Sequence, residues 1–404
     1  MTRILFADDE APVLDGLRTR LYRESGRWTM VFVDSGARAI AELEQGAFDV
    51  IVTDMRMPGM DGAELLQNVS ERWPQTIRIV LSGYAELQQA LRLVPVAHQY
   101  LSKPCDTQRL VSAIDGCLHS HTLLPHAELR GLVGRVRTLP VMPRVYSKLR
   151  MAISRENVDV QEIAELVASE PVMAAKVLQM ANSAFFRLAR PTVSINQAVS
   201  YLGVAAIRNL ITSPSIFSPS PERCPSTLVN FEELQSHAHA AAAAAQGLAT
   251  PPSRGDEALL AGLLHNIGYW LLAHECPGRL ANAVETAAAE HIPLYEAEAR
   301  VLGGSHAQIG AYLLGLWGLP PSIVEAVAYH HTPHSISPLK FAPLAALAVA
   351  NALLPTDDTN AFGVALVGGV KVDSTFLSGV NAPFDWAEAV RRISEIFDPV
   401  EMEE

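Results

Sequence analysis

Asp8, Asp9, Asp54, Ser82 and Lys103 stand at or just past the ends of short hydrophobic runs in the first 105 residues. The runs Ile4-Leu5-Phe6, Val50-Ile51-Val52, Ile79-Val80-Leu81 and Tyr100-Leu101 each read as a strand buried on both faces, as in a parallel sheet. The carboxyl ends of such strands line one crevice in an open α/β sheet, so residues far apart in sequence would converge there. An aspartate pair on one loop and a third at a neighbouring strand end suit Mg²⁺, which takes oxygen ligands and keeps several waters. Such a metal would offset charge on a carboxylate and on an incoming phosphoryl group, letting Asp54 act as nucleophile. Lys103, followed by Pro104, would contact one phosphoryl oxygen and Ser82 another.

A second constellation is made of histidines. His237, His265, His306 and the pair His330-His331 all fall in, or at the ends of, segments with helical periodicity. Neutral imidazole is a common transition-metal ligand, so converging helices could give these residues one Zn²⁺, Fe or Ni ion in a structural role. On apolar helix faces such rings more often read as hydrogen-bonded core residues than as ligands, and that reading is preferred here. A two-metal hydrolase would also need carboxylates to bridge the ions and orient a water, and the residue after His265 is Asn266.

The elements that would position these residues divide the chain. From Arg3 to about Cys117, strand and helix alternate five times, which predicts a doubly wound, five-stranded parallel α/β domain over residues 1–120. Its helices are expected behind Pro12, with Leu14, Leu17 and Leu21 on one face, and over 35–44, 61–72, 85–93 and 106–118. After Ser120 the strands stop. A connector over 121–138 leads to Leu139-Pro140-Val141-Met142-Pro143 and an all-α domain over 139–355, with a helix opening at Pro171 and long helices over 237–249 and 259–273. Residues 214–226, with four prolines, read as loop. The extension 356–404 is expected to hold a short hairpin near Val367-Gly368-Gly369-Val370 and a last helix whose stripe of Trp386, Val390, Ile393 and Phe397 packs on something.

Composition bounds the rest. The 404 residues exceed one ordinary core, and 49% hydrophobic content supports packed domains over disorder. A net charge of -12 and the lack of a basic recognition helix, with only Arg190 and Arg208 noted among the helices, disfavour nucleic acid as a partner. Cys105, Cys117, Cys224 and Cys276 form no CxxC framework and read as reduced thiols. The acidic start is no signal peptide, and the apolar stretch 341–354 is too short to span a bilayer; the expectation is a soluble cytoplasmic protein with no membrane contact.

Asp8-Asp9-Glu10, the run from Asp54 to Gly62 (DMRMPGMDG), Ser82-Gly83 and Lys103-Pro104 closely resemble the receiver domain of bacterial response regulators, over roughly residues 1–120. The resemblance implies phosphorylation of Asp54 by a partner sensor histidine kinase. It also implies Mg²⁺ held directly by Asp9, Asp54 and the Arg56 carbonyl, and by Asp8 through water, with Ser82 and Tyr100 as the switch pair.

The region from about 132 to 355 resembles the HDOD domain, a relative of the HD and HD-GYP phosphohydrolases. The matching segments include Leu139-Pro140-Val141-Met142-Pro143, Ala181-Asn182-Ser183-Ala184-Phe185, Tyr201-Leu202-Gly203, the run from Gly262 to Gly268 (GLLHNIG), His306-Ala307-Gln308-Ile309-Gly310, Trp317-Gly318-Leu319-Pro320 and Ala328-Tyr329-His330-His331. Where the hydrolases have a His-Asp dyad this chain has His265-Asn266, and Asn351 stands near their last metal-ligand aspartate. The Gly-Tyr-Pro element is missing, since Thr332-Pro333-His334 follows the histidine pair. Those departures imply a degenerate site and a non-enzymatic output. Phosphorylation would shift the face carrying Tyr100 and the last receiver helix, changing how it packs on the second domain or on another subunit, while the helical half binds a downstream signalling protein. The alternative is a metal-dependent phosphohydrolase acting on a nucleotide or cyclic dinucleotide under receiver control.

Overall fold

A computed structural model describes residues 1–83, 93–155, 158–183, 192–213, 216–218, 228–336, 342–354, 361–362 and 372–397. The first domain runs β1 (Thr2–Ala7), α1 (Ala11–Arg20), β2 (Trp28–Val33), α2 (Gly36–Gln45), β3 (Val50–Asp54), α3 (Gly62–Arg72), β4 (Ile77–Ser82), β5 (Gln99–Ser102) and α4 (Thr107–Leu123). The strands pair in parallel in the order β2-β1-β3-β4-β5, the doubly wound arrangement expected. β3 and β4 are buried along their whole length, which is why their sequences are continuous hydrophobic runs. Helix starts follow the chemistry of their first residues: the Ser35, Asp61 and Asp106 side chains accept from backbone N–H groups at the entrances of α2, α3 and α4.

The stretch 121–138 is no loose connector in its middle. α4 runs on to Leu123, and α5 (Ala127–Arg135) buries Leu129 and Val133 in the core. Then come β6 (Leu139–Pro140), α6 (Pro143–Ile153), α7 (Val160–Ala168), α8 (Pro171–Ala181), α9 (Ile195–Thr212), β7 (Phe217–Ser218), α10 (Phe231–Leu248), α11 (Gly255–Leu264) and α12 (Ile267–Glu275). The chain continues through α13 (Pro277–Glu290), α14 (Leu294–Leu302), α15 (His306–Leu316), α16 (Pro321–Tyr329), α17 (Pro343–Leu353), α18 (Ser374–Gly379) and α19 (Trp386–Phe397). α9 is broken at Gly203, whose φ of 74° takes it out of the helix.

Several expectations are corrected. The strands do not end at Ser120, because β6 and β7 pair in parallel, Leu139 with Phe217 and Pro140 with Ser218. The segment 214–226 is therefore not all loop: Ile216 and Phe217 turn fully inward, and one buried aromatic suffices to pin so short a pairing between prolines. The helix expected over 259–273 is two helices, parted at His265-Asn266. On α19 the buried positions are Ala389 and Ile393, whereas Val390 and Phe397 are exposed at 41% and 44%. Trp386 and Ile393 of the expected stripe therefore pack on a hydrophobic core, and the other two do not. The helix expected over 85–93 and the hairpin at 367–370 lie outside the described residues, except that Leu93 is helical and buried, and so do Ala184-Phe185, Arg190 and Cys224.

One apolar core runs from the α1/α4 side of the sheet (Ile4, Val52, Ile79, Ile114) through Leu124 and Leu129 into the helical body (Val177, Leu264, Leu313). α4 packs along α15, where a Cβ on Gly315 would lie 2.1 Å from the Ser120 hydroxyl. A second core fills the other face of the sheet, and a third, rich in alanine, lies between α10, α11, α17 and α19.

Candidate functional site

The strand order delivers the amino-terminal residues to one place. Asp8 follows β1, Asp54 ends β3, Ser82 ends β4 and Lys103 follows β5, and Asp9, Asp54, Arg56, Ser82 and Lys103 line a cleft of about 370 Å³. Asp8, Asp54 and Ser82 are buried and Asp9 is exposed at the mouth. Lys103 Nζ donates to Asp8 Oδ2 at 2.6 Å and also pairs with Asp54 Oδ1, bridging the two carboxylates. Asp8 Oδ1 accepts from the Glu10 N–H at 3.0 Å and Asp54 Oδ2 from the Arg56 N–H at 2.6 Å. Gly62 lets the start of α3 approach the main chain at the end of β3, since a Cβ there would sit 2.2 Å from the Asp54 carbonyl oxygen.

Burial raises the Asp54 carboxyl above its ordinary value, against the opposing pull of Lys103. Burial works against the Lys103 ammonium, but its bonds to Asp54 and Asp8 outweigh that and raise it. Oxygen donors of this kind fit Mg²⁺, and the Lys103 ammonium already balances them. Ser82 Oγ donates to the Gly83 carbonyl at 3.1 Å. Tyr100 does not reach the cleft: it is buried beside Val80 in the second core and lines a different, small cavity.

The five histidines also meet. Ring centroids lie 5.3 Å apart for His237–His265, 5.0 Å for His265–His330, 5.5 Å for His306–His330, 4.9 Å for His306–His331 and 4.0 Å for His330–His331. The ligand atoms of His306, His330 and His331 all fall within 4.8 Å of one another. Three rings are fixed from behind. His265 Nδ1 faces the Gly262 carbonyl at 2.6 Å, His330 Nδ1 the Val327 carbonyl at 2.8 Å, and His306 Nδ1 the Glu298 carboxylate at 2.8 Å. At His265 and His330 the carbonyl acceptor places the proton on Nδ1 and the lone pair on Nε2. His265 Nε2 and His330 Nε2 have no hydrogen-bond partner among the described residues, and His331 Nε2 lies 3.1 Å from His306 Nε2. Burial pushes the His265, His330 and His331 rings well below their ordinary value, and neighbouring rings reinforce it, so these stay neutral.

The break between α11 and α12 sets this geometry, because Gly268 presses on α15 so tightly that a Cβ would lie 2.0 Å from the His306 carbonyl oxygen. Asn266 is buried with neither amide atom partnered among the described residues, and Asn351 on α17 has its Oδ1 unpartnered likewise. The sequence reading missed Glu298, which also accepts the His306 N–H at 2.7 Å, and the rings of Tyr269 and Tyr295 stacked on His306 and His331. The one available signal was a carboxylate on the apolar face of α14 between Leu294 and Leu302.

Fold and acidic cleft together define a two-domain response regulator, a parallel α/β receiver followed by a helical output body. Residues 4–115 match the response regulator receiver domain and residues 139–333 match the HDOD domain, so the chain belongs to the response regulators that carry an HDOD domain. An uncharacterized protein of Treponema pallidum is 28% identical over 223 residues, covering 53% of this chain and 41% of that protein. The uncharacterized transcriptional regulatory protein YesN of Bacillus subtilis is 37% identical over 118 residues, covering 28% of this chain and 32% of that protein. The chain thus spans less than half the length of these curated relatives. Among solved structures, the MmoQ response regulator of Methylococcus capsulatus is 19% identical, covering 64% of this chain and 98% of that one, with a TM-score of 0.49. No described helix is long and apolar enough to cross a membrane.

Proposed function

We propose that this chain is a phosphorylation-controlled switch in which Asp54 accepts a phosphoryl group from a sensor histidine kinase and the HDOD domain signals by binding a further protein. The observation that carries the reading is the convergence of Asp8, Asp9, Asp54, Ser82 and Lys103 on one cleft within a receiver fold. An Asp54 carboxylate oxygen attacks phosphorus, a P–O bond forms, and the bond to the donor's phosphorus-bearing atom breaks with its electron pair leaving on the donor. Asp8, Asp9, Asp54 and the Arg56 carbonyl would hold Mg²⁺, which supplies charge neutralisation for that transfer. Lys103, now spanning Asp8 and Asp54, is placed to follow the new charge onto a phosphoryl oxygen. Ser82 would turn from Gly83 toward another oxygen and Tyr100 would respond from β5.

For the helical domain, the neutral amide of Asn266 beside His265 favours a non-catalytic output, since an amide brings no negative charge to bridge cations. One observation keeps the metal-dependent phosphohydrolase as a second reading. His306 and His330, buried and held at Nδ1, and the half-buried His331 bring ligand atoms within 4.8 Å of one another, a set that fits a single transition metal ion, with Glu298 behind it.

The test pairs input with output. Incubation with acetyl phosphate and Mg²⁺ is expected to add the mass of one phosphoryl group to the wild type and none to Asp54→Asn, alongside metal quantification of the purified chain. Wild type that stays unmodified would end the switch reading. Two ions per chain, with phosphodiester turnover abolished by His265→Ala, would replace it by the hydrolase.

A further inference from the structure

Between the receiver and the helical body, the segment leading into β5 is held by its main chain. The carbonyls of Val94, Val96 and His98 recur at every second residue, and each accepts from a buried side chain. Val96 is held from within the receiver by Arg78, whose Nε donates at 2.6 Å. Val94 and His98 are held from the other domain, by Lys176 Nζ at 3.0 Å and Gln179 Nε2 at 3.0 Å, both on α8. Lys176 and Gln179 are 4% and 2% exposed, so neither bond is a surface contact.

The Lys176 ammonium also sits 4.5 Å over the Trp317 ring, at the end of α15. A buried cation on a helix whose only other polar side chain is Gln179 costs stability, and burial lowers Lys176 to about 7. An apolar residue at that position would pack without the cost, so the lysine is poorly explained as filler. Beside it, a cavity of about 60 Å³ is lined by Tyr100, His98, Gln179, Ser183 and Trp317. Gln179 Oε1 and Ser183 Oγ, both buried, have no hydrogen-bond partner among the described residues. A junction half satisfied in this way has polar groups ready to re-pair if the β5 side of the cavity moves.

We propose that Lys176 and Gln179 are the positioning residues through which the HDOD domain grips the receiver, holding the main chain at Val94 and His98, and that a shift of Tyr100 across the shared cavity releases this grip. The inference deepens the switch reading and rests on it for the source of that shift. Release would free α8 and Trp317 to take up another arrangement, with no chemistry in the helical domain.

Hydrogen exchange on the full chain tests it, with and without acetyl phosphate and Mg²⁺, in wild type and in a Lys176→Met, Gln179→Leu double variant. In the wild type, amides of residues 93–100 and 171–181 should exchange at least about tenfold faster once Asp54 is loaded. In the variant they should be fast beforehand and gain nothing further. A variant that melts lower yet keeps the full phosphoryl-dependent change has lost only structural bonds, which overturns the proposal. So does a loaded wild type in which these two segments stay protected, and that arm stands even if the variant fails to fold. If mass analysis finds no phosphoryl group, the switch reading fails by itself. Equal protection in unmodified wild type and variant then refutes the grip separately.

Discussion

At the entrance of α8, Glu170 is fully buried, its Oε2 accepting from the Met142 N–H and from Gln235 Nε2, each at 3.3 Å, while Oε1 has no partner among the described residues. Burial pushes this carboxyl from 4.5 up to about 8, so at neutral pH the folded protein holds a proton that the unfolded chain releases. The sign of the linkage follows: the native state is favoured most below the unfolded value of 4.5, and that advantage is lost as pH rises through about 8. Glu170→Gln keeps the shape and removes the titration. Denaturant unfolding at pH 5 and pH 8 should therefore show wild type losing stability relative to the variant on the alkaline side, on the order of a few kcal/mol. A gap between the two proteins that is the same at both pH values would contradict this.

At the scale of elements, what was legible in the sequence was what depends on neighbours along the chain. Asp8, Asp54, Ser82 and Lys103 were readable because each closes a hydrophobic run, and the parallel order of those runs was enough to bring them together. Pro171 announced the start of α8 correctly. The parting of α11 from α12 was not readable, since His265 and Asn266 are compatible with a helix; it is the approach of Gly268 to the His306 carbonyl that accompanies the break. Lys176 and Glu298 were hidden for the same reason, as their hydrogen-bond partners lie on other elements. Gly268→Ala follows from this account. With a Cβ only 2.0 Å from that oxygen, α12 and α15 must separate, at a cost of about 1–3 kcal/mol in thermal or denaturant unfolding. An alanine variant as stable as wild type would mean that the contact between these helices is not tight.

For the whole molecule, the receiver and the HDOD domain share a core that passes without interruption through α4, α5 and α15. Separate domains would melt separately. Here one cooperative transition is expected, with calorimetric and van't Hoff enthalpies equal and with near-ultraviolet and far-ultraviolet signals coincident. Two resolved steps would show that the shared core contributes little coupling.

Arg78 draws these scales together. Its guanidinium is spent on main-chain carbonyls at Pro74, Thr76, Val96 and Gly134, the last of them on α5 beyond the receiver, and burial lowers it to about 9. Signalling proteins of this kind are often imagined as interchangeable cassettes, input here and output there. A chimera that joined residues 1–120 to a foreign partner would strand this arginine without one of its acceptors, so recombination across the junction requires position 78 to change along with it.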